Sequence, residues 1–189
     1  AAAGNNKNNI TQMRRGGRAT RGNMLRMVHS GFTGMQALQP NAALGPYRLV
    51  RLLAQGGMGQ VFLADGAEGR VVVKVLQPDL AAQSEMRSMF LHEARLGSQL
   101  SHPAIARIYD YGDAEGVLYL AMEFVDGPPL STILRRLRKR LQLGAALRVV
   151  ADVAAALGHA HAAIDDHGEA MKIVHRDVTP QNILLSGAG

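Results

Sequence analysis

The hexapeptide VVVKVL, residues 71–76, is the feature that most restricts how this chain can fold. It reads as a strand with apolar side chains on both faces, so the ammonium of Lys74 sits where a charge is costly unless it is paired. A lysine snorkelling from an edge strand is the plain alternative. A partner is available further on. The stretch SEMRSMFLHEARLGSQL, residues 84–100, has helical spacing. At 100° per residue, Met86, Met89, Leu96 and Leu100 fall within about 60° of one another, with Glu93 in the middle of their stripe. A carboxylate on an apolar face asks for a cation. The two anomalies cancel if Lys74 and Glu93 form an ion pair, which would tie the strand to the helix.

The flanking segments extend this picture. YRLVRLL and QVFLA alternate as strands, and DGAEGR turns the chain into VVVKVL. IARIYDYG, the turn DAEG and VLYLAMEFV make a further hairpin. Prolines 128 and 129 then punctuate the chain before helical segments at 130–142 and 145–163. Strands, helix, strands, then helices predict an α+β fold, a small, mainly antiparallel sheet with one helix followed by a helical region.

In AQGGMGQV, the glycines at 56, 57 and 59 allow the backbone to approach a ligand closely, most often a phosphate. A hairpin turn without a ligand is the alternative. A dinucleotide-binding loop must open a helix, whereas these glycines open the alternating run QVFLADGAEGRVVVKV. A Rossmann loop is therefore disfavoured, which leaves a glycine-rich turn between two strands. Near the other end, VHRDVTPQNILL places Asp177 and Asn182 in a segment with strand-like apolar flanks, so its middle reads as a rigid loop. An aspartate there can accept a hydroxyl proton, and an amide oxygen is a hard, neutral ligand for Mg²⁺.

Composition excludes several other chemistries. The 189 residues contain no cysteine, which removes disulfides, thiolate metal sites and cysteine nucleophiles, and fits a reducing, cytoplasmic setting. The net charge of +6 is uneven: six of the 21 Lys and Arg residues, and no acid, lie within residues 1–46, leaving 15 of each sign in the remainder. Residues 1–43, rich in Asn, Gly and Arg, read as a disordered basic lead. No aromatics are interleaved with its arginines, which argues against nucleic-acid binding. The most apolar stretch, VAAALGHAHAAI, is interrupted by two histidines, so no membrane segment is expected. The chain opens at Ala1 without the apolar core of a signal peptide, and a clipped N-terminus is expected. His159 and His161 stand about 200° apart on a helix and cannot chelate one ion, so His161 is expected to pack near the 174–185 loop. LRRLRKRL is expected to be an amphipathic helix with a solvated basic face.

Taken in order and spacing, AQGGMGQV, VVVK, FLHEA with Glu93, HPAIARIYDYG, MEFVDG and HRDVTPQN resemble eukaryotic-like serine/threonine protein kinases of the bacterial type, from about Tyr47 to the C-terminus. The resemblance implies an ATP-binding lobe over 44–122, a hinge over 123–128 and the start of a catalytic lobe over 129–189. It implies that Leu53, Ala54, Gln55, Gly56, Gly57, Met58, Gly59, Gln60 and Val61 cover ATP. Lys74 would hold the α- and β-phosphates, oriented by Glu93. Met122 would back the adenine pocket, and the backbone of Glu123 and Val125 would bind adenine. Asp177 would be the catalytic base toward a Ser or Thr hydroxyl of a protein substrate, and Asn182 would hold Mg²⁺. His175 would be structural, and Arg176 would meet a phosphorylated activation segment.

Three departures from that family pattern stand out. Ala54 replaces the first glycine of the loop, and Thr179 replaces a lysine that neutralises the transferred phosphoryl group. The Asp-Phe-Gly and activation segments would follow Leu185. A chain ending at Gly189 is therefore expected to be inactive alone and to expose apolar surface on the 145–163 helix. A naturally short pseudokinase that binds nucleotide or a partner is the alternative.

Overall fold

Alternation along one strand organises the molecule. In β4 (Gly69–Leu76), Val71, Val73 and Val75 face one side of the sheet, and Val72, Lys74 and Leu76 the other. The computed structural model describes residues 38–138 and 141–187. Within them six strands form one antiparallel sheet in the order β1-β2-β3-β4-β6-β5. The other strands are β1 (Ala43–Leu44), β2 (Tyr47–Gly56), β3 (Gly59–Gly66), β5 (Ile108–Ala114) and β6 (Val117–Glu123). β4 is thus an inner strand, paired with β3 on one edge and β6 on the other.

The face carrying Val71, Val73 and Val75 packs with Tyr47, Leu49, Phe62, Tyr119 and Ala121. Leu38 and Ala42 close over it, and the Asn41 amide donates to the Leu49 carbonyl at 2.7 Å. Ordered structure therefore begins ahead of residue 44, inside the stretch whose composition reads as disordered. The remainder of that basic lead, 1–37, lies outside the described residues. Under these rings, Tyr119 and Tyr47 both donate to Oδ2 of Asp110, at 2.7 and 3.5 Å. Burial, reinforced by that carboxylate, pushes the Tyr47 phenol up to about 12.

Helix α2 (Ser84–Ser98) covers the opposite face through Phe90 and Ala94, which pack on Leu76, Leu118 and Leu120. Burying the Phe90 ring contributes on the order of 1.5–3 kcal/mol. The buried row is thus Phe90–Ala94, continued by Gly97, where an added Cβ would lie 2.6 Å from Ile108. The stripe centred on Glu93 is rotated from this row. Glu93 is half-buried on its flank, a position from which it can reach the sheet without lying in the core. Preceding it is a one-turn helix, α1 (Pro78–Ala81), which the sequence reading lacked and whose start Pro78 favours.

The helical region departs from expectation at its boundaries. α3 (Leu130–Arg136) stops well short of 142, because Leu137 leaves helical ψ and Arg138 enters the left-handed region at φ 49°. α4 (Leu143–His161) buries only Ala156 and Ala160 among its residues, while Leu143, Leu147 and Val150 are more than 60% exposed. That exposed apolar face matches the expectation for this helix. By length and composition α4 is long and apolar enough to cross a membrane, which the histidine interruption had argued against. A single such helix is weak ground for a span, and Arg148 and Asp152 pair on it at 2.8 Å. His161 is exposed rather than packed. The rings of His159 and His102 meet tilted at 36°, centroids 5.3 Å apart, joining α4 to the loop after α2.

Candidate nucleotide and phosphoryl-transfer site

Lys74 is 7% exposed, between Val61 of β3 and Leu120 of β6. Burial pushes its ammonium down to about 8, and the charge of Glu93 partly offsets this. Burial raises the Glu93 carboxyl, while Lys74, then Arg176 and His92, pull it back. The structure therefore brings Lys74 and Glu93 within electrostatic reach, from an inner strand and from α2. It adds Arg176, which lies within electrostatic reach of α2 although the sequence suggested only a phosphate partner for it.

The same sheet face carries Val61, Val72 and Met122, all half-buried, with Val72 directly across from Met122. Together they form an apolar shelf beside the lysine. Val72 was absent from the sequence-derived set, yet its place two residues before Lys74 puts it on that face. Next to Met122, the Glu123 amide donates to the Arg107 carbonyl at 2.7 Å, and its carboxylate accepts from the Arg107 amide at 3.1 Å. The carbonyl, rather than the amide, is what Glu123 can offer a ligand. At Val125 the situation is reversed, since its carbonyl accepts from the Gly127 amide at 3.0 Å.

The glycine-rich turn is the hairpin between β2 and β3. Ala54 pairs with Val61, Gln55 with Gln60, and Gly56 with Gly59, leaving Gly57 and Met58 at the tip. Leu53 sits at a register shift, 38% exposed. Gln60 is buried. Gly59 is obligatory on two counts: its φ is +154°, and a Cβ there would lie 1.8 Å from the Val75 carbonyl oxygen. Gly57 has open space around its missing Cβ, so a phosphate could approach its backbone. Ala54 is not among the residues with positive φ, so the backbone there tolerates a methyl.

At the far end, the loop of Asp177 and Asn182 is tied together by its own hydrogen bonds. The Asn182 side-chain amide donates to the Asp177 carbonyl at 2.9 Å and to its Oδ2 at 3.1 Å. With Nδ2 committed, Oδ1 is left as an acceptor, which fits a Mg²⁺ ligand. The Asn182 amide bonds the Thr179 carbonyl at 2.9 Å, and the Asp177 amide bonds His175 Nδ1 at 3.3 Å, a structural use of that histidine. Arg176 takes a left-handed φ of 62°. The loop is also laced to the segment entering α3. Ser131 donates to Pro180, Leu130 to Ile183, Leu185 to Pro128 and Gly187 to Asp126. At Gly127 a Cβ would lie 1.7 Å from the Leu185 carbonyl oxygen, so the two backbones meet only over glycine. Arg135, Arg136 and Arg138 are exposed, as expected for a solvated basic face, and Arg135 and Arg138 border an open hollow with Ser131, Leu134, Pro180 and Gln181.

Residues 47–189 match the protein kinase domain. The chain belongs to that family. The chain is 42% identical over 160 residues to tyrosine-protein kinase MasK of Myxococcus xanthus, covering 80% of this chain and 24% of that protein. It is 45% identical over 152 residues to serine/threonine-protein kinase PknA of Mycobacterium tuberculosis, covering 77% and 33%. The solved kinase domain of Mycobacterium tuberculosis PknI superposes with a TM-score of 0.66 at 34% identity, over 79% of this chain and 58% of that one. The chain thus spans a quarter to a third of the curated kinases it matches, and the fold read from its sequence is the kinase fold.

Proposed function

We propose that this chain carries the nucleotide-binding part of a protein kinase that transfers the ATP γ-phosphoryl group to Ser or Thr hydroxyls of proteins. In that reaction the hydroxyl oxygen bonds the γ-phosphorus, the bond to the β–γ bridging oxygen breaks, ADP leaves, and the hydroxyl proton passes to Asp177. Lys74, oriented by Glu93, holds the α- and β-phosphates under the turn at Gly56, Gly57 and Gly59. Adenine lies on Val61, Val72 and Met122, against the Glu123 carbonyl and the Val125 amide. Asn182 Oδ1 is the ligand this chain offers to Mg²⁺, which supplies charge neutralisation on the phosphates. Thr179 contributes a hydroxyl but no charge there, a weaker electrostatic stabiliser than a lysine.

The observation that carries this reading is the Asn182 side-chain amide bonded to the backbone carbonyl and to Oδ2 of Asp177, which joins a proton acceptor and a metal ligand in one hydrogen-bonded unit. The pseudokinase reading is not supported, since Lys74, Glu93, Asp177 and Asn182 are all present in a site of this form. A tyrosine acceptor is the second reading, favoured by the likeness to the tyrosine-protein kinase of Myxococcus xanthus. The test expresses the gene to the end of its reading frame and follows labelled γ-phosphate into protein, with phosphoamino-acid analysis. Phosphoserine or phosphothreonine, lost in Asp177→Asn, is the expected result; phosphotyrosine alone would move the protein to the second reading. Because ATP is the phosphate donor, we assign this domain to the cytoplasm.

A further inference from the structure

Gln77 stands just after β4 and three residues beyond Lys74, outside every motif read from the sequence. Its side-chain amide donates to the Gly56 carbonyl at 3.1 Å, and its backbone amide donates to the Met58 carbonyl at 3.0 Å. Its own carbonyl accepts from Leu80 and Ala81, at 3.1 and 2.8 Å, and so starts the helical stretch that leads to Glu93. One half-buried residue therefore bonds the first strand end and the tip of the glycine-rich turn, and the root of the helices. Beside it, the Val75 carbonyl fills the space where Gly59 lacks a side chain.

We propose that Gln77 is a positioning residue for nucleotide phosphates: it clamps the glycine-rich turn to the strand that carries Lys74. A turn fixed this way presents its backbone amides at a set height above the ammonium. Phosphate binding then loses less freedom than it would to a loose hairpin. The inference rests on the nucleotide reading above and adds to it a residue that need not touch the ligand.

The experiment compares wild type with Gln77→Met, which keeps the length of the side chain and removes its donor. ATP with Mg²⁺ and adenosine are titrated separately by calorimetry, and hydrogen exchange is followed at the amides of 56–60 in the free protein. Loss of one clamping hydrogen bond should weaken ATP by roughly three- to tenfold. Adenosine, which has no phosphates, should bind both proteins equally, and exchange at the turn should quicken in the variant. Equal ATP affinity in the two proteins, tighter binding by the variant, or a parallel loss of adenosine would overturn the clamp while leaving the nucleotide site in place. A wild type that binds neither ligand would overturn both.

Discussion

Lys74 must carry its proton to attract phosphates, and burial has brought its loss of that proton close to working pH. As pH rises through about 8, a growing fraction of the free protein presents a neutral amine. ATP affinity should therefore fall above that pH, approaching roughly tenfold per unit well above it, while adenosine affinity stays level. Glu93 is the group that raises the lysine again, so Glu93→Gln should shift this decline to lower pH. Calorimetry from pH 6.5 to about 9.5 would decide it; an unshifted profile would mean that the pair is not coupled. The linkage sign for folding is separate. A folded value below the unfolded 10.5 means the charge of Lys74 opposes folding below about 8, and that opposition fades as pH climbs to 10.5. Ala54 offers the contrasting case at this scale. Ala54→Gly should change ATP affinity by less than about twofold, and lower stability by up to about 1 kcal/mol, because glycine relieves no left-handed backbone there and loosens a strand. A large gain in affinity would show that the methyl obstructs the turn.

Elements differ in how openly the sequence declares them. The strands around Lys74 and the helix of Glu93 were legible because each combines a clear period with a charge that needs explaining. The rotation of α2 was not, since Phe90 and Ala94 outrank Met89 and Leu96 only when Leu76, Leu118 and Leu120 are known to face them. The end of α3 was hidden for another reason: its terminator is an arginine in a left-handed conformation, not a glycine or proline. Asp177 and Asn182 were legible as types, but the amide bonds that join them are a matter of loop geometry. Nothing local marked Gly127 either, although its close approach to Leu185 is among the tightest in the molecule. Gly127→Ala should push the entry to α3 away from the 183–187 segment and cost more than about 2 kcal/mol. Urea unfolding would measure that cost, and a loss below about 0.5 kcal/mol would mean that the two segments part without consequence.

Across the whole molecule, burial is concentrated in the sheet. Leu49, Phe62, Val71, Val73, Leu118 and Leu120 are at or near complete burial, whereas α4 buries two alanines. Hydrogen exchange should accordingly be slowest in β3, β4 and β6 and fast over 143–150. Leu147, 61% exposed, is the corresponding probe by substitution: Leu147→Glu should alter the stability of this chain by no more than about 0.5 kcal/mol. A collapse of sheet protection in that variant would show that α4 is a structural partner of the sheet.

The backbone lacing of 126–131 to 180–187 has a mechanical meaning for such a molecule. A strap riveted along one leaf cannot flex where it is riveted, so any swing of the sheet against the helices must bend the short free length between Glu123 and Asp126. In such a swing Asp177 and Asn182 would travel as cargo on the riveted leaf, keeping their mutual spacing, while their separation from Lys74, and that of Arg176 from Glu93, would change. The strap would thus let opening alter the gap in which phosphate would lie while leaving the tool that would work on it undisturbed.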